Sequence, residues 1–199
     1  MSDSSCTKSA IRRQLRETLA AISDETLHAK SVAACSLMAH TEEFRAARTI
    51  MLYLSTAHEV DTAPLALRAW QEGKTVVVPK VTWEQRRMFP VEITSLHAGI
   101  TVTGPGVREP IAGKPVPLDL IDLVIVPGLG FTPTGYRIGR GMGFYDRFLA
   151  LPGFAGLSCG IAFEEQIIPE LPVLDHDVPL GMLVTDRGVR RFAPNYIQS

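Results

Sequence analysis

Glycines 139, 141 and 143 alternate within the run Gly135-Tyr136-Arg137-Ile138-Gly139-Arg140-Gly141-Met142-Gly143-Phe144-Tyr145-Asp146-Arg147. Glycine accepts positive φ and lets backbone N–H groups come close to a ligand. A helical pattern that begins at Phe144 and runs through Phe148 and Leu149 adds the free N–H donors and positive dipole end of a helix start. Such a loop can cradle phosphate. Arg137 and Arg140 supply planar cationic forks suited to phosphate oxygens, and Asp146 has the chemistry to hold a magnesium ion bridging them. The competing readings are a tight strand-to-helix turn for the glycines, and a cap or a partner for Arg147 in the case of Asp146. Spacing excludes two common nucleotide loops. No G-x-x-x-x-G-K-[ST] occurs, and the dinucleotide fingerprint needs G-x-G-x-x-G directly after a strand, whereas these glycines lie about a dozen residues beyond Val126.

The elements that must position this loop are legible from periodicity. Ile11, Leu15, Leu19 and Ile22 recur at helical spacing over residues 7–22, while Lys8, Arg12 and Arg16 fall four apart on another face. Like charges at that spacing cost a helix roughly 0.2–0.5 kcal/mol per pair, a penalty that a bound polyanion reverses; a solvated helix face is the alternative. Ser23 before Asp24 and Glu25 is an N-cap for a second helix that carries Leu27, Val32, Cys35, Leu37 and Met38 and ends near His40. Residues 49–54, 75–79 and 120–127 are apolar, β-branched runs of strand length, with a helical pattern over 64–70, closed by Gly73, between the first two. Residues 87–93, 157–163 and 183–192 read as further strands, the last a hairpin turning at Asp186-Arg187-Gly188, and 104–117 reads as a long loop. Strand, helix, strand in that order predicts the α/β class with a parallel or mixed sheet, because a parallel return needs a crossover.

The chain has 199 residues, 46% hydrophobic and 21% charged, which predicts one globular domain and excludes disordered and fibrous classes. A formal net charge of −1 gives no global attraction to nucleic acid, so any anion site must be built locally. Cys6, Cys35 and Cys159 are dispersed and odd in number, which suits a reducing compartment. With no signal-peptide core and no run of about 18 apolar residues, the expectation is a cytoplasmic protein without a membrane, nucleic-acid or obligate protein partner. His28, His40, His58 and His97 suggest no metal cluster, and His176 reads as a hydrogen-bonding residue.

The run from Pro127 to Leu149 resembles the signature of the 5-formyltetrahydrofolate cyclo-ligase, or 5,10-methenyltetrahydrofolate synthetase, family: P-G-x-x-F, then G-x-R-[LI]-G-x-G-x-G-[YF]-Y-D. It is carried by Pro127-Gly128, Phe131, Gly135, Arg137-Ile138-Gly139, Gly141 and Gly143-Phe144-Tyr145-Asp146. Three segments agree in order and spacing: Lys8 to Arg12 with K-x-x-[LI]-R, Tyr53-Leu54-Ser55 with Glu59-Val60-Asp61, and Gln166 with Pro172 to Asp177. The resemblance covers nearly the whole chain and implies one domain over 1–199. It implies a three-layer α/β fold with a mixed, mostly parallel sheet, similar to the ribose-5-phosphate isomerase and glucosamine-phosphate deaminase group. It further implies ATP- and Mg²⁺-dependent conversion of 5-formyltetrahydrofolate to 5,10-methenyltetrahydrofolate. In that chemistry the γ-phosphoryl group passes to the formyl oxygen, N10 of the same folate attacks the formyl carbon, and phosphate leaves. Ring closure is intramolecular, so alignment and charge neutralisation suffice without a covalent enzyme nucleophile.

Carried onto this sequence, the resemblance assigns Lys8, Arg12, Arg137, Gly139, Arg140, Gly141, Met142, Gly143, Phe144 and Tyr145 to ATP. Leu54, Glu59, Phe144 and Tyr145 fall to the folate, Asp146 and Asp177 to magnesium, and Arg140, Tyr145 and Glu59 to the reacting groups. The implied partners are small molecules, a reduced folate and ATP. Phe144 and Tyr145 also read as core aromatics, and Asp177 as a turn residue in Leu-Asp-His-Asp-Val-Pro. The sequence departs from the pattern in three places. Met142 stands where some relatives carry a lysine, Gly181 replaces an acid, and no tryptophan lies between Thr101 and Pro110, although Val107-Arg108-Glu109-Pro110 keeps the x-x-E-P turn. Met142 and Gly181 favour a second reading, a non-catalytic nucleotide- or phosphosugar-binding module on the same fold. A third, a sugar-phosphate isomerase or deaminase, would use Glu59 or Asp146 as base.

Overall fold

Alternation along the apolar strands decides the architecture. In the computed structural model, which describes residues 4–103 and 106–192 and side chains from Lys8 onward, successive strand residues enter two separate buried clusters. Ile50, Val76, Val78, Leu123, Ile125, Ile161 and Val184 belong to one; Met51, Val77, Val124, Val126, Ala162 and Leu183 belong to the other. A strand sends neighbours to opposite faces, so a sheet apolar on both faces must be covered twice, giving three layers.

The strands are β1 (Thr49–Met51), β2 (Thr75–Thr82), β3 (Arg87–Glu92), β4 (Ile100–Thr103), β5 (Val107–Pro110), β6 (Leu123–Val126), β7 (Gly130–Phe131), β8 (Arg137–Ile138), β9 (Leu157–Ala162), β10 (Met182–Thr185) and β11 (Val189–Arg191). The helices are α1 (Ser4–Ala20), α2 (Asp24–Ala39), α3 (Glu42–Ala46), α4 (Ala63–Gln71) and α5 (Phe144–Leu149). The main sheet has the order β11-β10-β9-β6-β1-β2-β3. Its five inner strands run parallel, and β3 and β11 close the edges antiparallel. Leu15, Leu19, Leu27, Met38, Phe44, Leu65 and Ala69 bring α1 to α4 onto one face, and Phe148 and Leu149 bring α5 onto the other.

The α/β class, the mixed and mostly parallel sheet and the β10–β11 hairpin agree with expectation. Ser23 caps α2 by accepting from Thr26 N, and the chain leaves α4 through Gly73 at φ 71°. Elsewhere the structure corrects the reading. The expected loop over 104–117 contains β5, paired antiparallel with β4; residues 104–105 lie outside the described residues. Long-range bonds hold that pair: buried Glu109 accepts from Val81 N at 2.8 Å, and Lys80 Nζ donates to the carbonyls of Pro110 and Ile111. Helix α3, capped by Thr41 over Phe44 N, was not expected, because five residues are too few to show a period. Residues 52–54 are buried beyond the end of the β1 ladder, and 118–120 form a 3₁₀ turn ahead of β6. Among the described residues no helix is long and apolar enough to cross a membrane, and Cys35 and Cys159 are buried free thiols. Cys6 lies outside the described side chains.

Candidate active site

Neighbouring strands β1 and β6 send their connections to opposite sides of the sheet, β1 through α4 to β2 and β6 through α5 to β9. At such a switch point an open α/β sheet leaves a crevice outside the carboxyl ends of its strands. The loop after β1, with Leu54, Thr56 and Glu59, forms one wall, and the glycine run after β6 forms the other. Arg140 spans them, donating to Thr56 Oγ1 and, at 2.9 Å, to Glu59 Oε1. Glu59 Oε2 accepts from the backbone N and Oγ1 of Thr56, each at 2.9 Å, so its carboxylate is held from two directions.

Packing brings α1 to this crevice. Leu15 is buried, and a Cβ at Gly130 would lie only 2.6 Å from its Cδ1, so the glycine leaves room for this side chain of the helix. Arg12 then points at the glycine run, and Lys8 lines the same cavity. Arg12 Nε donates to Gly139 O at 2.9 Å, and Arg12 Cζ lies 3.7 Å from where a Cβ of Gly141 would be. Arg16, the third member of the basic stripe, is exposed. Lys8, Arg12, Arg137, Gly139, Gly141, Gly143, Asp146 and Asp177 line one cavity of about 280 Å³, together with Ile138, Leu174 and His176.

The cations in this cavity are engaged by protein groups. Lys8 Nζ meets Asp177 Oδ2 at 2.7 Å with both side chains about nine-tenths buried. Asp177 Oδ2 also accepts from Leu174 N at 2.8 Å, so the turn reading of this residue and its place in the cavity hold together. Arg137 is buried and committed to Asp146 Oδ1 at 2.7 Å and to Val178 O at 2.9 Å, rather than presenting a free fork. Burial pulls its guanidinium below the ordinary value while Asp146 opposes that shift, and it stays charged. Arg140 likewise braces two loops and is absent from the cavity lining.

The remaining residues flank the cavity. Tyr145 is partly buried, and its hydroxyl oxygen is shut off from solvent with no partner among the described residues. Burial, and then the charge of Glu59, pushes this hydroxyl far up, so it stays protonated and available as a donor. Leu54 is buried on the β1 side. Phe144 takes an edge-on contact from Trp83 at 5.5 Å and the Arg147 guanidinium at 5.7 Å. Met142 is 41% exposed and outside the lining. A Cβ at Gly181 would crowd the end of the Leu157 side chain, 2.5 Å from its Cδ1. Thr56 and Trp83 were not singled out from sequence. Thr56 follows Tyr53-Leu54-Ser55 and sits three residues before Glu59, the one signal that could have found it.

Among the described residues no group of three or more His, Cys, Asp or Glu gathers, leaving Asp146 and Asp177 as the carboxylates at hand. In each, one oxygen takes the bonds already given, and the other accepts none among the described residues. Two carboxylates beside an anion cradle suit Mg²⁺, which keeps waters and completes its shell with phosphate oxygens.

Residues 4–186 match the model of the 5-formyltetrahydrofolate cyclo-ligase family. The mouse 5-formyltetrahydrofolate cyclo-ligase is 29% identical over 182 residues, covering 86% of this chain and 89% of its own. The Escherichia coli 5-formyltetrahydrofolate cyclo-ligase is 30% identical over 153 residues, 72% of this chain and 80% of its own. The NMR structure of Aquifex aeolicus 5,10-methenyltetrahydrofolate synthetase superposes with a TM-score of 0.80 at 30% identity, covering 96% of this chain and 99% of that one. The sheet order and the site sequence therefore define one class of α/β enzyme. The chain belongs to the 5-formyltetrahydrofolate cyclo-ligase family.

Proposed function

We propose that this chain catalyses the ATP- and Mg²⁺-dependent cyclisation of 5-formyltetrahydrofolate to 5,10-methenyltetrahydrofolate, releasing ADP and phosphate. In this reading residues 1–199 act as one domain on small molecules in the cytoplasm, without a required protein partner. The observation that carries it is the meeting of Lys8 and Arg12 of α1 with Gly139 and Gly141 in one cavity, beside a crevice spanned by Arg140 and Glu59.

Lys8, Arg12 and the backbone of 139–143 face the triphosphate, and Lys8 exchanges its bond to Asp177 for phosphate oxygens as the nucleotide enters. The free oxygens of Asp146 and Asp177 would hold Mg²⁺, which supplies charge neutralisation at the transferring phosphoryl group. Arg137 contacts no phosphate in this account; it fixes Asp146 in place. Arg140 and Thr56 orient Glu59 so that its carboxylate accepts from N–H groups of the folate. Leu54, Phe144 and Tyr145 supply the apolar side, with the unpartnered Tyr145 hydroxyl donating to a folate or formyl oxygen. Held this way, N10, the formyl carbon and the γ-phosphorus lie close enough for transfer and then ring closure, the large effective concentration of an intramolecular attack doing most of the rest.

Purified protein should generate the methenyl-folate absorbance band only when ATP, Mg²⁺ and 5-formyltetrahydrofolate are all present. Nucleotide binding without that band would overturn the assignment and favour a binding module.

A further inference from the structure

The turn between β2 and β3 carries Trp83, which stands against the Phe144 side of the site. Trp83 sets its ring edge-on against Phe144, with centroids 5.5 Å apart and planes at 87°. Its Nε1 is shut off from solvent and has no acceptor among the described residues. An indole N–H can only donate, and a buried donor left unsatisfied is destabilising unless something else accepts from it. Arg147 holds this turn against the site. It donates from Nε to Arg86 O at 2.8 Å and from NH2 to Met142 O, and its guanidinium stands 5.7 Å from the centre of the Phe144 ring. Arg86 itself has φ 50°, a left-handed conformation unusual for a side chain of its size and kept here by the turn. One arginine thus joins the β2–β3 turn, the glycine run and Phe144 into a single wall.

We propose that Trp83 contacts the folate directly and helps set its specificity: its ring forms the edge of the aromatic wall begun by Phe144, and its N–H donates to an acceptor on the flat heteroaromatic part of the substrate. This rests on the folate assignment of the Phe144 side. The β2–β3 turn brings Trp83 to the Phe144 side of the site. The requirement it places on the ligand is specific: a planar ring that carries a hydrogen-bond acceptor at its rim.

Trp83→Phe keeps an aromatic edge and removes the donor, whereas Trp83→Leu removes both. The expected result is a KM for 5-formyltetrahydrofolate raised by about 3–10-fold in Trp83→Phe, the worth of one neutral hydrogen bond, and by more in Trp83→Leu. The KM for ATP should stay within about twofold in both, which also reports an intact fold. The chain has two tryptophans, so in a Trp70→Phe background the emission comes from Trp83 alone. It should shift or quench on adding 5-formyltetrahydrofolate, after correction for ligand absorbance, and not on adding ATP. Unchanged folate KM in Trp83→Phe, or emission indifferent to folate, overturns the proposal, as does a loss of Tm with both KM values unchanged. If the unaltered protein forms no methenyl-folate at all, the failure belongs to the proposed function, not to Trp83.

Discussion

Lys8 Nζ lies 2.7 Å from Asp177 Oδ2, although 169 residues separate the two in sequence. The contact ties the first turns of α1 to the segment before β10 and places a lysine assigned to phosphate against a carboxylate assigned to magnesium. A ligand that brings both anionic oxygens and a cation exchanges this pair without leaving either charge alone, whereas removing one partner strands the other. Lys8→Met should raise the KM for ATP by about 10–100-fold, the range of one charge-assisted hydrogen bond, with the folate KM little changed. Initial rates at varied ATP check this; an unaltered ATP KM would remove Lys8 from the nucleotide site.

Gly141 has φ 107°, and a Cβ placed there would be in ordinary van der Waals contact with the Arg12 guanidinium. Gly141→Ala should cost about 1–3 kcal/mol of backbone strain, relieved by moving the loop away from Arg12. ATP affinity should then fall at least about tenfold. Gly139, where a Cβ would meet nothing within 4 Å, should tolerate alanine better. Calorimetric titration with ATP and Mg²⁺ ranks the two, and equal losses would refute the strain argument.

Asp146 Oδ1 accepts from Arg137 at 2.7 Å and from Val178 N at 3.3 Å. Asp146→Asn should abolish most turnover, by about 100-fold or more, through loss of the metal carboxylate. It should also lower stability by about 1–3 kcal/mol, because a buried guanidinium then faces a neutral amide. Far-UV circular dichroism should be unchanged. A variant that turns over at the unaltered rate would rule out the metal role.

The acid limb of stability should be visible at Glu164. Bonds from Arg190 at 2.8 Å and then from Thr185 hold its carboxyl below the ordinary value of 4.5. A depressed carboxylate stabilises the fold above its unfolded pKa and loses that contribution as pH falls through the folded one. Glu164→Gln should therefore lower Tm by about 1–3 °C at pH 7, with the gap closing toward pH 3. A gap independent of pH would show that the charge of Glu164 contributes nothing.

What could be read from the sequence follows physical lines. The inner strands were legible because parallel strands covered on both faces are continuous apolar runs, as in Val76-Val77-Val78 and Leu123-Val124-Ile125-Val126. Helix α1 was legible because Leu15 and Leu19, four apart, are buried while Arg16 is exposed. The β4–β5 pair was not, because what holds it is a bond between Glu109 and Val81 across 28 residues. The same limit applies at the site. Gly139, Gly141 and Asp146 stand out by local spacing. Whether Arg140 is free or braced depends on Thr56 and Glu59, more than 80 residues away, and nothing near Arg140 in sequence reveals it. Trp83 sits among Glu84, Gln85 and Arg86, a polar turn with no pattern to mark it.

The proposed reaction requires the cavity at Gly141 to deliver a phosphoryl group to a folate bound beside it. Simultaneous measurement of ADP and methenyl-folate in one reaction tests this most directly. One ADP should appear per methenyl-folate, with no ADP release above background when 5-formyltetrahydrofolate is omitted. Methenyl-folate formed without ADP, or ADP released at the same rate whether or not the folate is present, would contradict that reaction.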